Sequence, residues 1–481
     1  RPGDDDVRAR KQLTKLSRLN GQDAVLALLL LATMFLAACG AGDQEPATAT
    51  SPPAGATSTA IAPPTVVETV EEASTPAESA GDQEADAPPS PTALPTAVPA
   101  TAGPYPTATP TPVTPTPDAP PAAHVDVAQA PYAASDCSDK YPCNDDAAGW
   151  EARMRVPPGF AVDYFARVEG NPTSLTFGPD GDLYVAARSG TIYRIDQEGS
   201  ASEFFSGLTV PTGIAFQPGT EKLFISNRVK DANVNGEGQI SVIEDGQATT
   251  LFDGLPCCYV GMHGPNGIAF GPDGYGYVGV GGRADHGEIL LEENQGQQDE
   301  RQPLEASILR FAPDGSQVET YARGFRNPYD IAWDAQGQLY ATDNGRDGNR
   351  DAGDIPPDEL HRVTPGGEHG YPYFDCPVCF GAPAGVEVIP PLFELPPHSA
   401  ATGLTAYLHD QFPGYYDDLF LVLWSAFEGA QSVLRVDAGR EAISTFATGF
   451  AQPIDLTVGP DGSLYVADYA TGIIFRIQYV G

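Results

Sequence analysis

The chain has few basic residues. Lys and Arg together number 26 against 64 Asp and Glu, which gives a formal net charge of −38 at pH 7. A surface this acidic repels nucleic acid and anionic lipid headgroups, so neither is an expected partner. The net charge excludes these partners and leaves the chemistry of a buried site open.

The chain also lacks an apolar run suited to a membrane-spanning helix. The apolar stretch 24–38 is too short, but it follows a basic segment, 7–18, and ends in Leu-Ala-Ala-Cys39. This order is typical of a signal peptide, and its end resembles a bacterial lipobox. We therefore expect residues 1–39 to be a lipoprotein signal peptide and Cys39 to be lipidated, which would tether an exported protein to the cell envelope. The alternative is an ordinary signal peptide cut after Ala38.

Residues 40–134 have almost nothing from which a core can be built. Pro, Thr, Ala and acidic residues dominate the segment, with runs such as PTATPTPVTPTPDAPP. Such a composition predicts a disordered, extended linker between the anchor and a folded domain at 135–481.

Cysteine is scarce as well, with seven in the chain. Apart from Cys39 they form three close pairs, Cys137/Cys143, Cys257/Cys258 and Cys376/Cys379. In an exported chain, an even number of remaining cysteines favours disulfides, although their connectivity cannot be deduced. A metal or redox site at the last pair is disfavoured, since no second CxxC or suitable histidine pair accompanies it.

One phrase recurs in the remaining sequence. It consists of an apolar run, a Pro-Asp-Gly type of turn and a second run rich in β-branched and aromatic residues. Most copies continue into a third run of apolar-Arg-apolar type. The copies begin at Pro172, Pro211, Pro265, Pro328, Ala401 and Pro453. Strand-only repeats indicate propeller blades, so the sequence predicts an all-β fold, a six-bladed β-propeller with four-stranded blades.

The last repeat is one strand short. It ends near Gln478 after three strands, and the alternating segment 160–166 precedes the first repeat. We expect this segment to be the outer strand of the last blade, which would close the ring and protect its edges. A β-sandwich is the alternative fold, and the recurring turn argues against it.

Three insertions between repeats, 226–262, 281–306 and 343–400, mark the expected functional face. Long connecting loops are where a rigid scaffold carries binding and catalytic groups. The last insertion contains four aspartates, Asp343, Asp347, Asp351 and Asp354, which are either solvated or hold a structural calcium ion.

Within this region the sequence resembles the glucose/sorbosone dehydrogenase family. The resemblance is carried by YARGFRNPYDIAW at 321–333, by Tyr340 to Gly348, and by DIPPDELHRVTPGGEHGYPY at 354–373. The later QFPGYYDDLFL, 411–421, favours the sorbosone dehydrogenase branch. The resemblance spans about 155–479 and implies a six-bladed propeller that uses pyrroloquinoline quinone (PQQ) and calcium.

The resemblance also implies roles for particular residues. His263 would be the base that takes the proton of the substrate hydroxyl, a step typically worth roughly 10²–10⁴ in rate. Arg326 would contact the quinone, with Asn327 beside it. The carbonyl groups of Gly345 and Arg346 would bind calcium, which prefers hard oxygen ligands. The acidic partner of the base falls at Gly282, next to Arg283 and Asp285; Arg283 and Arg346 are further candidates for cofactor contact.

At two positions the sequence lacks an arginine that the family pattern has. An arginine expected in the fifth repeat is missing from 424–431, and Gln452 replaces an arginine before Pro453. The main expectation is PQQ-dependent oxidation of a sugar, or a related polyol or aldehyde, with electrons passing to an external acceptor. The alternative is a non-catalytic cell-surface propeller that binds carbohydrate or protein. A metal-dependent lactonase ranks last, because no ring of carboxylate and amide ligands can be assembled.

Each candidate also has a structural interpretation. His263 could be a tunnel-lining histidine bonded to a carbonyl, and Arg326 could be a structural arginine that bonds to blade carbonyls. The remaining candidates, His361, His369, His398 and His409, have no ligand-like spacing and are expected at the surface or in packing.

Overall fold

The computed structural model describes most of the predicted folded domain. The described residues are 150, 153–232, 235–259, 263–291, 293–348, 356–373, 379–425 and 430–481. The predicted leader with Cys39, the linker, Cys137 and Cys143 lie outside them, as do Cys376, Asp351 and Asp354. Within the described part, no helix is long and apolar enough to cross a membrane.

The described residues form six antiparallel sheets of four strands each. Blade 1 contains β2 (Pro172–Phe177), β3 (Leu183–Ala187), β4 (Ile192–Ile195) and β5 (Ala201–Phe205). Blade 2 contains β6 (Gly213–Phe216), β7 (Leu223–Lys230), β8 (Gly236–Glu244) and β9 (Gln247–Cys257). Blade 3 contains β10 (Pro265–Phe270), β11 (Gly276–Val280), β12 (Ser307–Phe311) and β13 (Glu319–Arg323).

The second half of the ring repeats this arrangement. Blade 4 contains β14 (Pro328–Trp333), β15 (Leu339–Asp343), β16 (Asp358–Arg362) and β17 (Phe393–Leu395). Blade 5 contains β18 (Ala401–Ala406), β19 (Leu419–Leu423), β20 (Ser432–Val436) and β21 (Ile443–Thr448). Blade 6 contains β22 (Pro453–Val458), β23 (Leu464–Asp468), β24 (Ile473–Tyr479) and the first strand of the domain, β1 (Phe160–Arg167).

The predicted closure of the ring is confirmed. β1 pairs antiparallel with β24, with Phe160 opposite Tyr479 and Arg167 opposite Ile473. The six sheets also confirm the six predicted blades and exclude the β-sandwich. The predicted starts agree closely, since only the second inner strand begins later, at Gly213 instead of Pro211.

The aspartate of the Pro-Asp-Gly turn makes the same contacts in blades 1 and 3, where Asp180 and Asp273 each bond to a tyrosine and an arginine of their own blade. In blade 3, Asp273 accepts hydrogen bonds from the amide of Tyr275 (3.2 Å) and the hydroxyl of Tyr277 (2.9 Å). It also pairs with Arg310, the arginine of the apolar-Arg-apolar phrase, at 2.9 Å. The three parts of the repeat are therefore one Asp–Tyr–Arg group that joins the first three strands of a blade.

A second recurring position links each blade to the next around the tunnel. It is the third residue of each inner strand phrase: Ser174, Gly213, Gly267, Asp330, Gly403 and Asp455. The polar members accept hydrogen bonds from the following blade, as Asp330 does from the amide of Leu404 (2.7 Å) and Asp455 from that of Leu175 (2.8 Å).

The glycines at this position leave space for the aspartates. A Cβ on Gly267 would clash with Asp330 Oδ1, and a Cβ on Gly403 would clash with Asp455 Oδ1. The apolar core lies between the sheets, where Phe224, Phe311, Phe420 and Phe475 are fully buried. The ring is thus held by apolar packing between blades and by polar links at its centre.

Candidate active site

Five of the predicted site residues lie at strand ends on one face of the propeller. His263 precedes β10, Arg326 and Asn327 precede β14, and Gly345 and Arg346 follow β15. In an antiparallel sheet the start of one strand lies beside the end of the next, so these positions share one mouth of the tunnel. The fold brings together residues that are far apart in the sequence.

His263 is buried and its ring is held by a backbone carbonyl. The residue is only 2% exposed, and its Nδ1 lies 2.8 Å from the oxygen of Gly282. A carbonyl oxygen can only accept, so Nδ1 carries the hydrogen and Nε2 keeps its lone pair. Nε2 makes no hydrogen bond to another described residue. This tautomer leaves Nε2 as a proton acceptor.

The environment keeps this imidazole neutral. Burial, followed by the positive charges of Arg326 and Arg228, lowers the pKa of His263 well below its usual range. Desolvation and neighbouring cations both disfavour the imidazolium form. His263 is consequently in its basic form throughout the neutral pH range.

Gly282 shows why the expected acidic partner is absent. A Cβ at this position would lie 2.6 Å from the hydroxyl oxygen of Tyr371. Tyr371 is itself fixed, since its hydroxyl donates to the oxygen of Ala284 at 2.9 Å. A side chain at position 282 is therefore excluded by Tyr371, and the carbonyl of Gly282 orients His263 instead.

Arg326 is held by two carboxylates. Its Nη2 lies 2.8 Å from Asp285 Oδ1 and 2.9 Å from Asp347 Oδ1. Its Nε donates to the backbone oxygen of Asp285 (3.1 Å) and its Nη1 to that of Asn344 (3.3 Å). Arg326 therefore makes the carbonyl contacts that the structural interpretation expects, and two acids balance its charge as well.

Asn327 and Asp343 form the backbone support beneath Arg326. Asp343 accepts the amides of Arg326 (2.9 Å) and Asn327 (2.6 Å). Burial raises the pKa of Asp343 to about 7. Asn327 uses its side chain within the protein, accepting from Asn266 (2.9 Å) and donating to Asn344 (3.1 Å). Asp343 is thus a buried structural acid, unlike the half-exposed Asp347 of the same loop.

An open cleft adjoins these residues. Gly345 and Arg346 line it, together with Arg326, Asp343 and Glu359. Asp343, Glu359 and His361 each offer a ligand atom, and these atoms lie within 4.8 Å of one another. Carboxylate oxygens are a ligand type that a calcium ion prefers, but both oxygens of Asp343 already accept backbone amides.

The other histidines differ in their surroundings. His369 stacks on Phe325 with ring centroids 4.7 Å apart, and His361 meets the same ring edge-on at 5.3 Å. Both are buried, which agrees with a packing role. His398 and His409 are half-exposed.

Arg283 lies apart from this cleft. It forms ion pairs with Glu305 (2.9 Å) and Asp299 (3.0 Å) and lines a neighbouring small cavity. It is not among the residues that line the cleft beside Arg326. The structure therefore does not bring this predicted cofactor contact to the other candidates.

Sequence reasoning missed four residues of the site. Asp285 and His286 line the cleft, Tyr371 fixes the position of Gly282, and Tyr259 packs against His263. His286 is paired with Glu288, whose Oε2 lies 3.2 Å from Nδ1 of the histidine. All four lie in the long insertions 226–262, 281–306 and 343–400. This location is the feature of the sequence that could have pointed to them.

The charge of this mouth is unlike that of the whole chain. Three arginines are nearly fully buried here, Arg228 (2% exposed), Arg326 (5%) and Arg346 (8%). Arg228 and Arg326 both act on His263 electrostatically, and Arg188 acts on Arg228. Acids of the protein already balance two of these buried cations, since Arg326 pairs with Asp285 and Asp347 and Arg228 pairs with Asp231. An anionic ligand such as the tricarboxylate PQQ would share these cations with those acids.

Comparison with known proteins identifies related chains. The sequence model of the Glucose / Sorbosone dehydrogenase family matches residues 170–476. An uncharacterized protein of Borreliella burgdorferi is 26% identical over 367 residues, which cover 68% of this chain and 91% of that protein.

Solved structures share the fold. A putative oxidoreductase (glucose dehydrogenase) from Thermus thermophilus is 24% identical, with a TM-score of 0.51, and covers 66% of this chain and 100% of its own. The PQQ-bound aldose sugar dehydrogenase from Streptomyces coelicolor is 21% identical, with a TM-score of 0.51, and covers 67% and 99%. The soluble aldose sugar dehydrogenase from Escherichia coli is 19% identical, with a TM-score of 0.53, and covers 66% and 99%.

Proposed function

Because the chain belongs to the glucose/sorbosone dehydrogenase family, we propose that it oxidises a sugar, or a related polyol or aldehyde, with PQQ and calcium. Electrons would then pass to an external acceptor. The observation that supports this most is His263, a buried neutral imidazole whose Nδ1 is bonded to Gly282 and whose Nε2 is available. The PQQ-bound structure from Streptomyces coelicolor has the same fold.

The residues that would hold the cofactor are on the charged side of the mouth. Arg326, Arg346 and Arg228 supply positive charge for carboxylates. The carbonyl oxygens of Gly345 and Arg346, with the acids of the cleft, supply hard oxygen ligands for calcium. When bound, PQQ supplies a quinone that takes up a hydride from the substrate carbon.

The protein itself handles the proton. Nε2 of His263 accepts the proton of the substrate hydroxyl as the hydride leaves the adjacent carbon, so one C–H and one O–H bond break and a carbonyl forms. The Gly282 carbonyl then stabilises the imidazolium through the Nδ1 hydrogen bond. Arg326 lies close enough to His263 to disfavour that cation, which assists return of the proton to solvent.

A non-catalytic binding propeller is the second candidate. It is favoured by the two carboxylates that already occupy Arg326 Nη2. It is also favoured by Gln452, which stands where the family pattern has an arginine. Under this alternative the mouth binds carbohydrate or protein and no electron transfer follows.

The deciding experiment uses purified folded protein without cofactor. PQQ is titrated in with and without calcium, and binding is followed by the quinone absorption spectrum. Dye reduction is then measured over a panel of aldoses, polyols and aldehydes. Calcium-dependent PQQ binding with turnover of at least one substrate supports the dehydrogenase, whereas no PQQ binding and no dye reduction contradicts it and favours the binding propeller.

We further propose that the protein is lipid-anchored through Cys39 and that its cysteines form disulfides. The sulfur atoms of Cys257 and Cys258 are paired in the structure, which supports the second proposal. Cys39→Ser should move the protein from membranes into the soluble fraction, and unchanged membrane association would contradict the anchor. The mass of the peptide containing both cysteines, before and after reduction, tests the disulfide.

A further inference from the structure

Tyr259 covers the base of the proposed reaction. Its ring centroid lies 5.1 Å from that of His263, with the two rings in an edge-to-face arrangement. The guanidinium carbon of Arg326 lies 5.7 Å from the centroid of the same Tyr259 ring. The phenol thus lies against both groups that the proposed reaction needs.

The position of Tyr259 is fixed at both ends. Its backbone oxygen accepts the amide of His263 at 3.3 Å. Its hydroxyl donates to Asp347 Oδ2 at 3.4 Å, and the other oxygen of that carboxylate holds Arg326. Burial, followed by the charges of Asp347 and Asp285, raises the pKa of Tyr259 above its usual range, so the hydroxyl remains a donor.

This arrangement has a consequence for the substrate. A proton donor must come within about 3 Å of Nε2 to transfer its proton, yet His263 is only 2% exposed. The phenol ring lies beside the imidazole at which the substrate hydroxyl must arrive, in a position to contact a group that approaches Nε2. Aromatic faces are well suited to the apolar face of a ring-form sugar, because they bury C–H groups without competing for hydroxyls.

We propose that Tyr259 is a specificity-determining residue: its ring limits access to His263 and stacks on the ring-form sugar whose hydroxyl reaches Nε2. This proposal rests on the proposed function for the identity of the substrate. The covering of His263 does not depend on it and is measured separately.

The first measurement is chemical modification of the cofactor-free protein. Diethyl pyrocarbonate reacts with accessible neutral imidazoles, and mass spectrometry of peptides gives the rate at each histidine. Tyr259→Ala should accelerate modification of His263 about tenfold or more, whereas Tyr259→Phe, which keeps the ring, should stay within about threefold of wild type. Half-exposed His409, on the loop after blade 5's first strand, is the internal reference and should not change.

The second measurement separates binding from chemistry. With a sugar substrate found in the dye-reduction panel, Tyr259→Ala should raise KM about tenfold or more with a smaller change in kcat, and Tyr259→Phe should retain the wild-type KM. Tyr259→Leu replaces the alanine variant if the latter does not fold, as judged by circular dichroism.

The outcomes are distinguishable. An unchanged modification rate of His263 in the alanine or leucine variant overturns the covering role of Tyr259. Faster modification without a change in KM overturns the stacking role. If wild-type protein oxidises nothing in the panel, the proposed function fails and the stacking role with it; if it oxidises only open-chain polyols or aldehydes, the stacking role alone fails. In both cases the modification rates still decide whether Tyr259 covers His263.

Discussion

Blades 4 and 6 carry the same backbone arrangement with different side chains. Gly-Phe-Arg326-Asn-Pro precedes the inner strand of blade 4, and Gly-Phe-Ala451-Gln-Pro precedes that of blade 6. Asp343 accepts the amides of the two middle residues in blade 4 (2.9 and 2.6 Å), and Asp468 does the same in blade 6 (2.7 and 2.9 Å). Blade 6 is thus a copy of the site without its cation.

His263 occupies the same repeat position in blade 3. It stands two residues before Pro265, as Arg326 does before Pro328 and Ala451 before Pro453. In these three blades the position directly precedes the inner strand, and the residue type decides what chemistry is present there. The repeat supplies a common backbone, and blades 3 and 4 supply His263, Arg326 and Asn327 of the candidate site.

The largest expected effect comes from removing the base in blade 3. His263→Gln should lower turnover by roughly 10²–10⁴, since the glutamine amide cannot accept the substrate proton. PQQ affinity and the melting temperature should change little, because the cations of the mouth remain. Steady-state kinetics with a PQQ titration checks this, and turnover near the wild-type value would exclude His263 as the base.

The next effect comes from giving blade 4 the residue of blade 6. Arg326→Ala should weaken PQQ binding by roughly 1.5–3 kcal/mol, the usual value of a charge-assisted hydrogen bond. The fold should survive, because blade 6 has Ala451 at the equivalent position, with its amide bonded to the equivalent aspartate, Asp468. The matched control is Arg310→Ala in the exposed Asp–Tyr–Arg group of blade 3, which should leave PQQ affinity unchanged. Equal PQQ dissociation constants for wild type and Arg326→Ala would contradict the assignment.

Adding a cation next to Ala451 in blade 6 should have a smaller effect. Gln452→Arg adds a cation where the family pattern has one, and we expect PQQ affinity to rise by a factor of about 3–10, on the order of 1 kcal/mol. Gln452→Met, similar in size and uncharged, is the control and should leave the affinity unchanged. An equal gain in both variants would show that charge at blade 6 is irrelevant to the cofactor.

The smallest expected effect is on the pH dependence of stability. It comes from Asp330 of blade 4 and Asp455 of blade 6, whose carboxyl groups contact each other. Burial, together with the neighbouring carboxylate, raises the pKa of Asp330 well above its usual range, and burial raises that of Asp455 to about 7. The folded protein therefore holds protons that the unfolded chain releases near pH 4, so stability should fall as the pH rises from about 4 to above 7.

Thermal melts between pH 5 and 8 test this expectation. The melting temperature of wild type should fall across this range, and Asp330→Asn should make the fall smaller, because one titrating partner is removed. Asp343 titrates in the same direction, so part of the fall should remain. Comparing the change with pH, and not the absolute melting temperature, allows for hydrogen bonds that the asparagine loses. An identical change with pH in both proteins would contradict the interpretation that Asp330 holds a proton in the folded protein.

Much of the fold was predictable because it depends on short-range sequence. In blades 1 and 3 the turn aspartate contacts the tyrosine of the second strand and the arginine of the third, so those copies of the phrase specify their own strands. The closing strand β1 was also predictable, because a blade of three strands leaves an open edge. The candidate site was predictable only as far as the resemblance named its residues.

The sequence alone determined the number of blades, their boundaries and the side of the ring that carries His263 and Arg326. Only the tertiary structure decided how these residues are held. Asp285 reaches Arg326 across 41 positions, and Tyr371, bonded to Ala284 across 87, leaves no room for a side chain at Gly282. The physical reason is that a strand and its turn are set by neighbours in the chain, whereas the charge, burial and tautomer of a site residue are set by groups that meet only when the ring closes.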